Sequence, residues 1–301
     1  MRLEGKNHVD HENAGPVYCQ VCKKTQLLTA FSLQPKQPGE VKINLDRISR
    51  DWKMGVDVAR DCRGITVHAV SFDHRGGPAF YASLPSDGET CKGSTANAAG
   101  NRDHLISILL DHLVAQDNPL WKCLHSYDKV ALPIRVVHGP LGRPHLLAGE
   151  YRMPGISFSE GGGKVWAALC GDESDIGIDA APFEQFRGEY PSHRVFLDEE
   201  LQHALRLTGG DPAKTAALLW SVKEAVVKAL GCGFHLVAPR EILVYSATGR
   251  DSGSGYTFPV CLSGRALERF PKGAGRSIWV RSFPHEKMWL SIALSNWQSR
   301  L

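Results

Sequence analysis

No apolar run in the sequence approaches the length of a membrane-spanning helix, and the first residues (MRLEGKNHVDHENAG) lack the apolar core of a signal peptide. The expectation is a cytoplasmic protein with no membrane partner. Neither sign of charge is in excess: 35 Lys and Arg against 32 Asp and Glu leave a net +3, which gives no reason to expect nucleic acid, although local basic residues can still hold a phosphorylated ligand. A P-loop is missing, as is the Gly-x-Gly-x-x-Gly turn of dinucleotide sites. A nucleophile elbow is missing too; 13 histidines guarantee chance pairs with serine but supply no triad pattern. Disulfide spacing is also lacking. Apart from Cys19 and Cys22 the cysteines (Cys62, Cys91, Cys123, Cys170, Cys232, Cys261) stand singly, which suits reduced, partly buried thiols.

What is present is a chain of 301 residues, 43% apolar, enough to build the core of one large domain or two smaller ones. Its most informative stretch is Trp220–Gly231, WSVKEAVVKALG. This continues an Ala/Leu-rich run and ends on a glycine suited to the left-handed turn that stops a helix. At 100° per residue, Leu219, Val222, Val226 and Ala229 share one apolar stripe, while Glu224 and Lys228 stand four apart on a neighbouring polar face. On spacing alone that pair reads as an ordinary surface ion pair. A second stretch, Asp175–Ala181 (DIGIDAA), reads as a strand that delivers one carboxylate, Asp179, among small and apolar neighbours, where it needs a partner.

Together these stretches resemble the 4'-phosphopantetheinyl transferases of the surfactin-synthetase type, which include the metazoan aminoadipate-pathway enzyme. That family carries a Gly-apolar-Asp strand, here Gly177, Ile178 and Asp179, and later a Trp-x-x-Lys-Glu-x-x-x-Lys-x-x-Gly helix, here Trp220, Lys223, Glu224, Lys228 and Gly231. A Gly-Lys/Arg-Pro turn appears as Gly142, Arg143 and Pro144. The likeness covers roughly Val130 to Val244. It implies an α+β fold, a monomeric pseudo-dimer of two related αβ halves, each a small, mainly antiparallel sheet packed with helices. The expected divisions are an extension over 1–40, an N-terminal half over 41–171 and a C-terminal half over 172–301.

The resemblance further implies transfer of the phosphopantetheine arm of coenzyme A to a serine of an acyl or peptidyl carrier protein. Asp179 and Glu224 are the implied magnesium ligands; Asp179, Glu224 and Lys228 the implied catalytic residues. Arg143, Ser159, Lys223, Lys228 and Arg102 are the implied coenzyme-binding residues, with Lys223 steadying either the phosphates or the helix. Two departures keep alternatives open. Glu160 stands where a histidine is usual, and a carboxylate repels a phosphate unless a cation intervenes. Ala181 replaces a second acid found in many bacterial members, with Glu184 and Glu189 downstream as possible compensation. A non-catalytic binder of coenzyme A or a carrier, or an enzyme acting on carrier-bound thioesters, are the competing readings.

The remaining segments read in order. His8, His11, Cys19 and Cys22 sit in the polar extension, where a thiol pair is a better reading than a zinc site. Residues 41–84 are patterned as strands (VKINL, GITVHAVSF, AFYASL), with Asp57 in a Gly-Val-Asp imitation of the strand motif and read as structural. Asn101–Gln116 is patterned as a helix with His112 as a packed histidine at its inner edge. Residues 129–147 read as a strand and a Gly/Pro turn, and Gly161–Gly163 as either a close approach to ligand or a turn. KVWAALC and DIGIDAA are expected to pair as a hairpin. Asp198–Leu207 reads as a helix, Asp211-Pro212 as the cap of the next one, and four strands follow, the last (MWLSIALS) apolar enough to be central.

Overall fold

The computed structural model describes residues 40–41, 65–72, 79–86, 98–115, 134–170, 174–248, 255–274 and 278–295, all within the unit Gly39–Leu301. The His/Cys cluster near the N-terminus and the Asp57 imitation lie outside the described residues. The elements follow the periodicity of the chain. Strands β1 (Glu40–Val41), β2 (His68–Val70) and β3 (Ala79–Pro85) precede helix α1 (Ala98–Ala115). Then come β4 (Ile134–His138), β5 (Pro144–Ala148), β6 (Tyr151–Arg152), β7 (Ile156–Gly161), β8 (Lys164–Cys170) and β9 (Asp175–Pro182). Helices α2 (Ser192–Val195), α3 (Asp198–Leu207) and α4 (Pro212–Leu230) follow, then β10 (Ile242–Val244), β11 (Tyr256–Leu262), α5 (Gly264–Arg269), β12 (Ile278–His285) and β13 (Met288–Ser295). No helix among the described residues is long and apolar enough to cross a membrane.

The strands form three antiparallel sheets, ordered β1-β4-β5-β6, β2-β3-β8-β7 and β10-β11-β12-β13-β9, which makes the fold α+β. Helix α1 covers one face of the second sheet, where Leu105, Leu109 and Leu113 meet Val165, Ala167 and Leu169. Helix α4 covers one face of the third, where Leu218, Val222 and Val226 meet Phe258, Val280 and Ala293. The two sheets bury their other faces against each other: Trp166, Ala168 and Cys170 of β8 lie in one cluster with Ile176, Ile178 and Ala180 of β9 and Leu290 and Ile292 of β13. The layers therefore run helix, sheet, sheet, helix.

This stacking corrects the hairpin expected for KVWAALC and DIGIDAA. Strand β8 pairs with β3 and β7, whereas β9 pairs with β13. Both strands are apolar at nearly every position because both are covered on two faces, and a short link between such strands leads from one sheet to the sheet stacked on it. MWLSIALS is central as expected, lying between β12 and β9. The triple glycine closes the β7–β8 turn: Gly162 and Gly163 take positive φ, and Gly161 lets β7 pass close to β9, where an added Cβ would come 2.6 Å from the Ala180 carbonyl oxygen. His112 packs edge-on against Phe80, as expected of a histidine at the core's margin.

Helix α4 is fixed at both ends and along its length. The Asp211 carboxylate accepts the backbone N–H groups of Ala213 and Lys214, Pro212 occupies the first turn, and Gly231 ends the helix in the left-handed region. In its middle, Lys223 is wholly buried and donates to both oxygens of Glu200 on α3 at 2.9 and 2.7 Å, and to the carbonyls of Pro239 and Ile242. Glu200 also accepts the N–H groups of Leu197 and Val244. Burial pulls the Lys223 ammonium below the usual lysine range while the Glu200 charge works the other way.

Removing one partner of such a pair strands the other charge. Lys223→Met is expected to lower the free energy of unfolding by roughly 3–5 kcal/mol in urea titration, and Lys223→Met with Glu200→Gln to recover part of that loss. A second expectation concerns Asp111 on α1. Among the described residues its buried Oδ1 has no hydrogen-bond partner, and burial pushes the carboxyl up to about 6. A carboxyl raised on folding contributes stability that is complete below its unfolded value and lost as pH rises through about 6. Urea midpoints of the wild type should therefore fall between pH 4 and 7 relative to those of Asp111→Asn, and the two profiles should run parallel above that window.

Candidate active site

Gly177 sets the geometry. A Cβ there would run into the Ala225 carbonyl oxygen and the Ala229 nitrogen of α4, so only glycine lets the helix backbone rest directly on β9. Two residues along, on the same face of the strand, Asp179 is carried under the last turns of the helix. Its Oδ1 meets the Lys228 ammonium at 2.8 Å. The same ammonium donates to the Ile178 carbonyl at 3.0 Å and to Ser159 Oγ at 3.2 Å. Ser159 in turn donates to Asp179 Oδ1 at 3.1 Å and accepts the Ala180 N–H. Asp179 is almost buried and Lys228 a quarter exposed, so the charges meet where water screens them weakly.

The open side of this cluster is defined by α4. From Thr215 to Leu230 its residues are buried except for Trp220, Glu224 and Lys228, spaced four apart along one line of the helix. Glu224 is thus the half-buried carboxylate next to Lys228 and Asp179. Burial raises its pKa above the usual carboxylate range, the Lys228 charge opposes that shift and the Asp179 charge reinforces it. At the N-terminal end of the same line Trp220 packs on Phe234, ring centroids 4.9 Å apart.

The other residues named from the sequence separate. Arg143, mostly buried, pairs with Asp175 at the start of β9, and its side chain lies over Gly231 at the end of α4. Its charge and that of Glu224 both reach Cys232, whose thiol burial pushes up to about 11. Arg143 therefore borders the site. Arg102 is exposed; it pairs with Glu160 at 2.9 Å and lies over the Phe158 ring, on the face of β7 opposite Ser159. The cation needed to offset Glu160 is thus Arg102 itself. Lys223 is a correction: all its donors are engaged with Glu200 and two carbonyls, so it holds the helix and has none left for a phosphate.

Ala181 is buried beneath α4, Glu184 is exposed and paired with Arg187, and Glu189 is exposed, so neither downstream acid reaches the cluster. Among the described residues no group of three or more His, Cys, Asp and Glu side chains is placed to hold a metal. Two carboxylates nevertheless fit a hard cation that keeps waters and shares substrate phosphates. The Lys228 ammonium, already coordinated by oxygens of Asp179, Ser159 and Ile178, marks the place as one that accepts positive charge. Ser159, expected beside the coenzyme, stands within the cluster, and the structure adds Ser157 and Asp175, which the sequence did not single out. Ser157 and Ser159 accept the β9 N–H groups of Ile178 and Ala180, and Asp175 anchors both Arg143 and Arg152. The one available signal was the Ser-x-Ser alternation within ISFSEG.

Comparison with known proteins bears on the same residues. The family model of the 4'-phosphopantetheinyl transferase superfamily matches residues 175–259, a span that contains Asp179, Glu224 and Lys228. A protein of Gloeobacter violaceus named holo-[acyl-carrier-protein] synthase is 36% identical over 107 residues, 34% of this chain and 72% of its own length. The solved holo-[acyl-carrier-protein] synthase of Neisseria meningitidis is 23% identical and aligns with 40% of this chain and 97% of its own at a TM-score of 0.31. With the Gly177–Asp179 strand seated under the Lys223–Gly231 helix and a relative matched over most of its length, the chain belongs to the 4'-phosphopantetheinyl transferase superfamily.

Proposed function

We propose that this chain transfers the 4'-phosphopantetheine arm of coenzyme A to a serine hydroxyl of an acyl or peptidyl carrier protein, as a monomer in the cytoplasm and with magnesium. The observation that carries the reading is the meeting of Asp179, Glu224 and Lys228 from a strand and a helix at the open line of α4. In this reaction the serine oxygen forms a bond to the phosphorus bearing the pantetheine arm. The bond from that phosphorus to the oxygen of 3',5'-ADP breaks, and the nucleotide leaves with the electron pair.

Each residue has a part that its surroundings suit. Glu224 takes the serine proton, directly or through water; the burial that raises its pKa makes it a better base than a surface carboxylate. Lys228 offers its ammonium to the leaving phosphate, and Arg143, bordering the site at the end of α4, offers a fork of donors to the coenzyme's phosphates. Ser159 holds Asp179 and Lys228 in register. Asp179 and Glu224 are the residues that would hold magnesium, which when bound supplies positive charge against the pyrophosphate. Trp220 and Phe234 form the apolar end of the same line, beside the carboxylate that receives the serine.

The purified protein, given coenzyme A and Mg²⁺, should add the mass of one phosphopantetheine arm to an apo carrier domain, read by mass spectrometry, and a chelator should stop it. Coenzyme A binding without modification of a panel of apo carriers would point instead to a non-catalytic binder. Glu224→Gln is expected to reduce kcat/KM for the carrier by about a hundredfold or more while leaving coenzyme A affinity by calorimetry within a few-fold.

A further inference from the structure

The Lys228 ammonium sits in a cradle of three oxygens, Asp179 Oδ1, the Ile178 carbonyl and Ser159 Oγ, at 2.8, 3.0 and 3.2 Å. Those are oxygens of the kind a hard divalent ion takes, and one of them belongs to a carboxylate assigned above to magnesium. Ser159 is committed in three directions, donating to Asp179 and accepting from Lys228 and the Ala180 N–H, so the cradle is rigid. The occupant is not. Lysine carries its charge on a flexible four-carbon stem, and this one stands on the open line of α4 with a quarter of its side chain exposed. A divalent ion and an ammonium cannot share Asp179 Oδ1 at these distances without strong repulsion.

We infer that Lys228 is a displaceable internal cation. In the chain without metal its ammonium neutralises Asp179 and holds β7, β9 and α4 together. A divalent ion takes Asp179 and Glu224 only by evicting the ammonium along the open line of the helix, toward the side on which the coenzyme's phosphates are offered. Two carboxylates with one ammonium leave a single net negative charge, and eviction raises it to two, the charge a divalent ion matches. Loading of the metal and presentation of the lysine to substrate thereby become one event. This inference rests on the transferase reading for the identity of the ion and goes beyond it in giving Lys228 a second, earlier position.

The test uses the whole chain without coenzyme or carrier. Mn²⁺ binding is followed by electron paramagnetic resonance of the free ion in the wild type and in Lys228→Met. The inference expects at least about tenfold tighter binding in the variant, because the competing charge is gone. Equal or weaker binding in Lys228→Met, with binding by the wild type intact, overturns displacement and leaves the metal assignment standing. Binding by neither protein overturns the metal assignment and the inference with it. A second measurement needs no variant: the rate at which an amine-reactive acylating reagent labels Lys228, read by peptide mass spectrometry, should rise several-fold as Mg²⁺ is added to the wild type. An unchanged or falling rate counts against displacement.

Discussion

The site depends on how closely α4 can lie on β9. Helices usually rest on sheets through a layer of side chains; here the backbone at Ala225 touches the strand because Gly177 has no Cβ. That contact brings the end of the helix within reach of a carboxylate two residues further along the strand. The apolar packing of Val222 and Val226 on the sheet, the capped helix ends and the Lys223–Glu200 pair all serve to keep the helix at that height and rotation. A helix turned by one residue would swing the line shared by Glu224 and Lys228 away from Asp179.

The two departures from the family pattern become intelligible as local chemistry. Glu160 is offset by Arg102, and the pair sits on the side of β7 away from Asp179, so its charge is separated from the Asp179–Lys228 cluster by the strand itself. Ala181 is packed under α4, where an acid would need its own partner in the core. The proposed magnesium site accordingly rests on two carboxylates, within the one or two that a water-retaining ion commonly takes.

How much of this was legible in the sequence varies with how local the cause is. Helix α4 was readable to its ends because Asp211, Pro212 and Gly231 act within a few residues of themselves. That Asp179, Glu224 and Lys228 meet was readable because the Gly-Ile-Asp strand and the Lys-Glu helix stand as recognisable motifs. Lys223 was assigned to a phosphate or to the helix, and only the structure decides, since its partner Glu200 lies on another helix and no spacing rule connects them. The hairpin of β8 and β9 was misread because a short link between apolar strands suggests pairing; the missing clue was their lack of alternation, which signals two covered faces. Ser157 escaped notice because a small hydroxyl residue in a strand carries little pattern of its own, and Ser159 was named only through the family likeness.

Those serines have an effect beyond the chemistry. Strand β9 ends its sheet, and the N–H groups of Ile178 and Ala180 on its outer rim would otherwise be open to docking by any extended chain. Hydroxyls of β7 close that rim at 3.1 and 3.2 Å, so the seam is sealed without a continuous backbone ladder. A full ladder would have fused the two sheets into one. The hydroxyl seal guards the strand against unwanted self-association while keeping the two sheets separate.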